Sequence, residues 1–269
     1  MSPLAPFYIA GPTGSGKTSL ALELAGRLKN AAIVNADAFQ IYRGIEILSA
    51  APSPAETSIC PHHLFGIFDV TDECDAARFS RLFWSKVEEL QQAECFPVVV
   101  GGSGLYLKAI THGLAPTPPG DPELRAKLER LTLDELISQY KNLDPEGAAQ
   151  TNLKNRRYVT RNLEICLLTG EAASALKSRW EREAPEIRAV YLHRDREDVY
   201  DRINRRTLEM FSAGVVDEIR KLSHFSDCGK SGNSSTAKSM KRSVSNKFSN
   251  IRGDTPSGRS PGSNASLPL

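Results

Sequence analysis

The stretch GPTGSGKT at residues 11–18 decides the fold of this chain. It follows a short apolar segment, Phe7–Ala10, and precedes Ser19–Leu28, in which leucines recur with helical spacing. A strand, a glycine-rich loop ending in Gly-Lys-Thr and a helix, in this order, form a P-loop that folds its backbone N–H groups around phosphate oxygens. Lys17 adds positive charge at the distal phosphate, and the Thr18 hydroxyl is placed to ligate Mg²⁺. The motif predicts phosphate binding without specifying the phosphate compound.

Strand and helix patterns alternate along the rest of the chain. Ala31–Val34, Phe96–Val100 and Ala189–Leu192 have the short apolar character of buried strands, whereas Phe79–Gln92 and Arg196–Phe211 have helical spacing. Such alternation predicts an α/β fold, with a P-loop NTPase-like core whose parallel sheet is flanked by helices on both faces. The ligand should then bind at the carboxyl ends of the strands.

A second region contains only helical patterns. It begins in a linker rich in Pro and Gly and continues to about residue 186, which predicts an all-helical insertion over the active site. We therefore predict four segments: the first part of the core at 1–114, the insertion at 115–186, a return to the core at 187–226 and a tail at 227–269.

The composition predicts a soluble, cytoplasmic protein. The 269 residues carry a formal net charge of +2, and no apolar run is long enough to cross a bilayer. The five cysteines are dispersed without a CxxC pair, which is typical of reduced thiols rather than of a disulfide framework. We expect a monomer that does not contact membranes.

Two features bear on the chemistry at the carboxyl ends of the strands. Asp37 follows the second strand, where a carboxylate can act as general base for an amine nucleophile or can cap a helix; the residues alone leave both readings open. The strand Phe96–Val100 ends in Gly101-Gly102 rather than in the acid with which many nucleotide-hydrolysing P-loop proteins hold Mg²⁺. This ending counts modestly against an ATPase and is compatible with a P-loop that binds a different diphosphate compound.

Five motifs in a fixed order resemble the tRNA dimethylallyltransferase family. They are GPTGSGKT at 11–18, DAFQIYRG at 37–44, VVVGGSGLYLKA at 98–109, DPELR at 121–125 and RRYVTRNLE at 156–164, and the resemblance covers about residues 7–226. The family transfers a dimethylallyl group from its diphosphate to the N6 amine of the adenine immediately 3′ of the anticodon in tRNA. The resemblance implies tRNA and dimethylallyl diphosphate as partners and Mg²⁺ as the cofactor that assists departure of diphosphate.

The resemblance also implies roles for individual residues. Asp37 becomes the general base on the adenine amine, and Ser103, where the family usually has Thr, lies near the reacting centre with Lys17. Arg125 reaches the diphosphate or the tRNA, and Thr18 is the metal ligand. The diphosphate-binding set is Gly11, Pro12, Thr13, Gly14, Ser15, Gly16, Lys17, Thr18 and Arg125.

The tRNA-binding set implied by the resemblance spans the core and the insertion. Gln40 would hydrogen-bond the edge of an adenine flipped out of its stack. Arg157 and Arg161, four apart on one helical face, suit two RNA phosphates, although a solvated basic face is the simpler reading of that spacing alone. The complete set is Asp37, Ala38, Phe39, Gln40, Ser103, Arg125, Arg157, Tyr158, Val159, Thr160 and Arg161.

Besides Ser103, three positions depart from the family pattern. Tyr158 replaces the usual Arg and Asn162 the usual Ala, which predicts a weaker RNA contact, and Ala38 replaces a Ser that would add a hydrogen bond beside Asp37. Two other classes of function remain open: a small-molecule kinase using the loop for ATP, and an RNA-binding module whose P-loop is a structural switch. A kinase needs an adenine pocket and an arginine-rich lid, and the sequence points to neither.

The tail from residue 227 has a different composition. It contains eleven serines, seven basic and two acidic residues and no periodic apolar pattern, so we predict disorder. We also hypothesise that it is a frame-shifted reading of the family's C-terminus, with the break near residues 226–229. One coding of the family's closing Tyr-Ala-Lys-Arg-Gln-Val-Thr-Trp-Phe-Lys stretch, its codons chosen to fit and read one base later, gives residues Thr255–Asn264.

Overall fold

A five-stranded parallel sheet carries the P-loop at the end of a central strand. The computed structural model describes residues 4–178 and 186–228, with side chains as far as Leu222. The strand order is β3-β2-β4-β1-β5, and every pairing is parallel. The strands are β1 (Phe7–Ala10), β2 (Ala31–Asn35), β3 (His62–His63), β4 (Phe96–Gly101) and β5 (Arg188–Tyr191). The predicted fold class is confirmed, and β3 is an additional edge strand that the sequence patterns did not reveal.

Helices cover both faces of this sheet. Because successive strand side chains point to opposite faces, Ile9 packs with α1 on one face and Tyr8 packs with α4 and α5 on the other. The helices of this region are α1 (Lys17–Arg27), α2 (Glu46–Ser49), α3 (Pro54–Thr57), α4 (Ala76–Gln92) and α5 (Gly104–Thr111). The carboxyl ends of the strands therefore stay uncovered for a site.

The segment after α5 is helical, with a core of its own. Its helices are α6 (Pro122–Glu129), α7 (Leu133–Leu143), α8 (Pro145–Gln150), α9 (Arg156–Thr169) and α10 (Ala173–Ser178). Leu136, Tyr140 and Leu163 are almost completely buried between α7 and α9. Asp121, Thr132 and Asp144 cap three of the helices through their side chains, which fixes where each helix begins. Helical patterns in the sequence at residues 123–131, 133–141, 146–151 and 156–168 predict α6 to α9 but not α10. Residues 179–185 of the predicted insertion lie outside the described part of the chain.

Two helices follow β5 and form a hairpin against the core. They are α11 (Arg196–Ser212) and α12 (Val215–Cys228), joined through Gly214 at φ 91°. Since α12 runs to Cys228, it crosses the predicted segment boundary at residue 226. The rest of the predicted tail, residues 229–269, lies outside the described residues, and so does the stretch on which the frame-shift hypothesis rests. Among the described helices, none combines the length and apolar character needed to span a bilayer.

Candidate functional site

The P-loop connects β1 to α1 in the conformation that a phosphate cradle requires. Gly16 is the residue before α1 and has φ 96°, a left-handed conformation that favours glycine. The Lys17 ammonium donates to the Pro12 carbonyl at 2.7 Å, so its side chain folds back over the loop. The Ser15 hydroxyl is buried and makes no hydrogen bond within the described residues. A buried hydroxyl without a partner inside the cradle is consistent with a site built for a polar ligand.

Lys17 also lies beside the loop that follows β4. A Cβ atom on Gly102 would come within 3.6 Å of the Lys17 ammonium and 3.0 Å of the Gly11 carbonyl, so a glycine lets this loop approach the P-loop. Burial lowers the pKa of Lys17, the nearby Asp37 carboxylate opposes that change, and Arg206 adds to it. The sequence separated these groups, and the fold gathers them at the carboxyl edge of the sheet.

Asn35 at the end of β2 fixes the backbone around Asp37. Its buried side chain accepts from the Asp37 N–H at 2.8 Å and donates to the carbonyls of Asp37 and Leu64 at 3.1 and 2.9 Å. Asp37 Oδ1 accepts from the Phe39 N–H at 2.9 Å, whereas Oδ2 accepts no hydrogen bond from a described residue. Asp37 is therefore held by one oxygen and its backbone, and the other oxygen stays available.

Ser103 links the end of β4 to the residue after Asp37. Its hydroxyl oxygen accepts from the Ala38 N–H at 2.8 Å, so its proton remains free to donate. Gly101 permits this contact because a Cβ there would lie 2.2 Å from the Ala36 carbonyl oxygen. The structure thus brings Asp37, Ser103 and Lys17, the three predicted catalytic residues, to one edge of the sheet.

Gln40 lies on the same loop with its amide group oriented. Its Nε2 donates to the carbonyls of Ser49 and Ala50 at 3.2 and 2.8 Å. Both amide hydrogens are thereby used, and Oε1 is left as an acceptor. Phe39, which precedes Gln40 in the chain, is 36% exposed and is available for stacking.

Two arginines from beyond β5 wrap the P-loop. Arg194 Nε donates to the Ser15 carbonyl at 2.8 Å, and Arg202 Nε on α11 donates to the Gly14 carbonyl at 2.6 Å. A Cβ on Gly16 would lie 3.6 and 3.9 Å from the terminal nitrogens of Arg194 and Arg202, so both guanidinium groups stand over the cradle. Each arginine stabilises the loop, and Arg202 adds positive charge where a diphosphate would lie, whereas the charge of Arg194 is paired with Asp198 at 2.8 Å.

Arg206 lies one helical turn beyond Arg202 and faces Asp37. Its half-buried guanidinium makes no hydrogen bond or ion pair with another described residue. Burial lowers the pKa of Arg206, an effect opposed by the negative charges of Asp37, Glu209 and Glu56. Such a guanidinium remains protonated, and a cation partly removed from water favours an anionic ligand.

The sequence interpretation missed Asn35, Arg194, Arg202 and Arg206. The spacing of Arg202 and Arg206 on one helical face was a signal, but α11 is charged throughout and the pattern did not distinguish these residues from solvated ones. For Asn35 the signal was a polar residue ending a fully buried strand.

Arg125 and Arg161 share one buried carboxylate in the insertion. Glu164 is completely buried; Arg125 Nε lies 2.8 Å from its Oε1, and Arg161 donates to its Oε2 at 2.6 Å. Arg161 also donates to the Pro118 carbonyl at 2.6 Å, which ties the linker to α9. Among the described residues, Arg125 makes no hydrogen bond or ion pair with the P-loop, so its predicted contact with diphosphate has no support from this geometry.

The predicted RNA surface on α9 divides into exposed and buried residues. Arg157 and Tyr158 are exposed, with Tyr158 at 55%, and Thr160 is half-buried. Val159 is completely buried in the core of the insertion, which corrects its assignment as an RNA contact: its side chain has no surface to offer.

Asn162 corrects a second expectation. It is buried and donates to the Tyr140 hydroxyl and to the Thr151 hydroxyl, each at 3.0 Å, while accepting from Lys177 at 2.5 Å. The Asn that replaces the family's Ala therefore joins a polar network inside the insertion and does not weaken an RNA contact by its own side chain.

The P-loop offers one protein oxygen, the hydroxyl of Thr18, to a magnesium ion that binds together with a diphosphate. No group of three or more His, Cys, Asp or Glu side chains able to hold a metal occurs in the described ranges. Magnesium usually keeps several waters and binds through one or two protein oxygens together with substrate phosphates. The half-buried Thr18 hydroxyl in the first turn of α1 is such an oxygen.

The arrangement combines two chemical capacities at one edge. The P-loop, Lys17, Arg202 and Arg206 form an electropositive cradle for a leaving anion. Beside it, the loop after β2 carries a carboxylate oxygen of Asp37 and an amide oxygen of Gln40 that accept no hydrogen bond from a described residue. The site can therefore hold a diphosphate and deprotonate an amine.

Known proteins resemble this chain over most of its length. The profile of the IPP transferase family matches residues 40–246, more than half of the chain. tRNA dimethylallyltransferase from Akkermansia muciniphila is 42% identical over 215 residues, which cover 80% of this chain and 72% of the relative. The proteins of the same name from Syntrophobacter fumaroxidans and Bifidobacterium longum are both 40% identical; the matches cover 80% of this chain and 64% and 67% of those relatives. The matches thus span between 64% and 72% of the length of these relatives.

Solved structures give the same relationship. The full-length tRNA isopentenylpyrophosphate transferase of Bacillus halodurans superposes with a TM-score of 0.59 at 29% identity, covering 94% of this chain and 79% of that chain. A eukaryotic dimethylallyltransferase acting on tRNA superposes with a TM-score of 0.70 at 25% identity, covering 85% of this chain and 58% of the other. The chain therefore belongs to the IPP transferase family, together with these tRNA dimethylallyltransferases.

Proposed function

We propose that this protein transfers a dimethylallyl group from dimethylallyl diphosphate to the N6 amine of the adenine adjacent, on the 3′ side, to the anticodon of tRNA, releasing diphosphate. Membership of the family and the names of the relatives support the reaction class. The observation that carries the proposal is the meeting of a cationic phosphate cradle with Asp37, whose Oδ2 accepts no hydrogen bond from a described residue.

On the donor side, the diphosphate lies in the P-loop with its charge facing Lys17, Arg202 and Arg206. Negative charge grows on the diphosphate as the bond from its oxygen to the allylic carbon breaks. Cations and N–H dipoles that are already in place stabilise that charge without reorganising. The hydrogen bonds that hold Arg194 and Arg202 to the loop support this preorganisation.

On the acceptor side, the adenine leaves its stack and enters beside Phe39. Gln40 Oε1 accepts a hydrogen bond from the N6 amine, because its Nε2 hydrogens are already bound. An acceptor at this point discriminates against a base that carries a carbonyl oxygen in place of the amine. As N6 bonds to the allylic carbon, Asp37 Oδ2 removes the proton that the nitrogen can no longer keep.

Magnesium would be held by the Thr18 hydroxyl and the oxygens of the diphosphate. When bound, it neutralises part of the diphosphate charge and so assists departure of the leaving group. The exposed Arg157 and Tyr158 on α9 are proposed to contact the tRNA, the former through a backbone phosphate. We also propose that the protein acts in the cytoplasm as a monomer.

Radiolabelled transfer tests the proposal directly. The protein is incubated with Mg²⁺, bulk tRNA and dimethylallyl diphosphate labelled in the prenyl group, and label is counted in the tRNA. We expect magnesium-dependent incorporation into tRNA that contains the target adenine, and none into tRNA with guanine at that position. A parallel incubation with labelled ATP tests the kinase alternative, which no observation favours. Phosphoryl transfer from ATP without prenyl transfer would overturn the assignment.

A further inference from the structure

A carboxylate from the distant helix α12 caps the short helix α2. Glu218 Oε1 accepts from the Ile47 N–H at 2.8 Å, and Oε2 accepts from the Leu48 N–H at 2.9 Å. First-turn N–H groups have no partner within their own helix, and negative charge is favourable there. Ile45, the residue before α2, supplies no side-chain cap. Glu218 is therefore the side chain that satisfies the beginning of α2.

The other end of α2 holds Gln40. The carbonyls that accept from Gln40 Nε2 belong to Ser49 and Ala50, the last residue of α2 and the residue after it. A helix of four residues has little stability of its own, so its position depends on its contacts. A displacement of α2 would move these carbonyls and release the Gln40 amide.

Apolar packing joins the same two elements. Val215 of α12 is 1% exposed in the cluster that contains Ile41 and Ile45, and Ile219 and Leu222 pack against that cluster. These apolar contacts hold α12 near α2 but do not fix the orientation of α2, because apolar contacts are not directional. The two hydrogen bonds to Glu218 are directional and therefore fix the orientation of α2.

The preceding helix reaches the other half of the site. Arg202 of α11 donates to the Gly14 carbonyl, and α11 continues into α12 through Gly214. The α11–α12 hairpin thus contacts the phosphate cradle through one helix and the loop that carries Asp37 and Gln40 through the other.

We propose that Glu218 is a positioning residue for adenine recognition: by capping α2 it fixes the carbonyls that orient Gln40, and so keeps Gln40 Oε1 directed to accept from the adenine N6 amine. This inference rests on the proposed function. It assigns Glu218 a specific effect on the acceptor side of the reaction and none on the binding of the prenyl diphosphate.

The test compares Glu218→Gln with a matched control on the same turn. Asp217→Asn removes the same charge from α12, but the Asp217 carboxylate pairs with the exposed Arg220 instead of α2. We expect Glu218→Gln to lower the single-turnover rate and raise the KM for tRNA, together about tenfold, with an unchanged Kd for dimethylallyl diphosphate. Amide hydrogen exchange at Ile47 and Leu48 should accelerate in this variant alone. Asp217→Asn should match the wild type in all four measurements.

A double-mutant cycle separates positioning from a general loss of stability. If Glu218 acts through Gln40, Glu218→Gln should change the rate less than about twofold in a Gln40→Ala background, because interacting residues are not additive. Glu218→Asp, which keeps the charge and shortens its reach, is measured in the same way and should fall between the wild type and Glu218→Gln. Full additivity in the cycle, or a Glu218→Gln protein as active as Asp217→Asn, would overturn the inference alone. A wild-type protein that transfers no prenyl group would contradict the proposed function and remove the inference with it.

Discussion

Asp37 follows β2 and lies beside Lys17 and Arg206, with its two carboxylate oxygens in different surroundings. Oδ1 accepts from the Phe39 N–H and shapes a turn, whereas the helix cap that the sequence left open is not formed, since the next helix, α2, begins at Glu46. Oδ2 accepts no hydrogen bond from the described residues, and the charge of the carboxylate acts on both Lys17 and Arg206. A turn-forming role for one oxygen and the proposed role as a base for the other are therefore compatible.

Replacing Asp37 by Asn separates these two roles. The amide oxygen can still accept from the Phe39 N–H, but the group no longer takes a proton. The single-turnover rate should fall roughly 10²–10⁴-fold, the usual contribution of a general base, while the Kd for tRNA stays close to that of the wild type. Asp69→Asn, which changes an exposed carboxylate paired with Arg43, is the control. A near-normal rate in rapid-quench measurements on Asp37→Asn would remove Asp37 from the mechanism.

Arg206 offers a second test at this scale. Arg206→Ala removes a half-buried cation that faces Asp37, so the Kd for dimethylallyl diphosphate should rise about 10- to 100-fold, the effect expected for one charged hydrogen bond. Arg205→Ala removes the same charge from the adjacent, exposed position of α11 and should leave that Kd unchanged. Calorimetry measures the Kd of both variants. An equal loss of affinity in the two would mean that Arg206 acts only through the overall positive charge of α11 and not through a specific contact with the diphosphate.

At the scale of elements, the site depends on how closely β4 approaches the residue after β2. The Ala36 N–H donates to the Val100 carbonyl at 2.8 Å, and this contact continues into the hydrogen bond between Ala38 and Ser103. Gly101 occupies the point of closest approach. The separation between the loop with Asp37 and the loop with Ser103 is therefore set by the sheet itself.

Gly101→Ala should force these two segments apart. The added methyl group would meet the Ala36 carbonyl oxygen at 2.2 Å, so we expect a loss of roughly 1–3 kcal/mol in the free energy of unfolding together with reduced transfer activity. Gly104→Ala lies three residues further, at the start of α5, where a Cβ meets no atom within 4 Å. Its thermal midpoint should equal or exceed that of the wild type. Equal midpoints for the two variants, read by calorimetry, would contradict the argument.

Helix α9 makes two different contributions through residues four apart. Arg157→Ala removes an exposed cation without a side-chain partner among the described residues, so it should weaken tRNA binding and reduce the slope of log K against log salt by about one. Arg161→Ala instead leaves the buried Glu164 short of a partner and frees Pro118, and should cost roughly 1–3 kcal/mol in stability. Filter binding across a salt series, with thermal melts of both variants, tests this division of roles. A salt slope unchanged in Arg157→Ala would place the RNA elsewhere.

For the molecule as a whole, the P-loop at the end of β1 is held by the segments that follow its two neighbouring strands, β4 and β5. β4 approaches it through Gly102, and α11 reaches it through Arg202, although these elements are far apart in the chain. A ligand in the cradle should therefore stabilise the entire core rather than one loop. The predicted division of the chain into four segments, with its disordered or frame-shifted tail, stays a prediction.

Donor binding should be visible as thermal stabilisation. With Mg²⁺, dimethylallyl diphosphate at about 100 times its Kd should add about 2.7 kcal/mol to the unfolding free energy, because it binds the folded state alone. ATP at the same concentration should raise the midpoint less, since the family match assigns the cradle to a prenyl diphosphate. Differential scanning calorimetry with each ligand measures both effects. A larger shift with ATP would contradict the donor assignment.

The sequence by itself determined the P-loop and the family. Eight consecutive residues specified the P-loop because its chemistry depends on neighbours along the chain, and five ordered motifs predicted the family that the comparisons confirm. Only the tertiary structure decided which distant groups complete the site. In the sequence, Arg202 and Arg206 cannot be told from the solvated residues of a charged helix, and only the packing of α11 against the P-loop distinguishes them. Val159 and Asn162 belong to the motif that was predicted to bind RNA, yet both are buried in the core of the insertion. Side-chain direction and long-range packing are set by the fold, which no local pattern records.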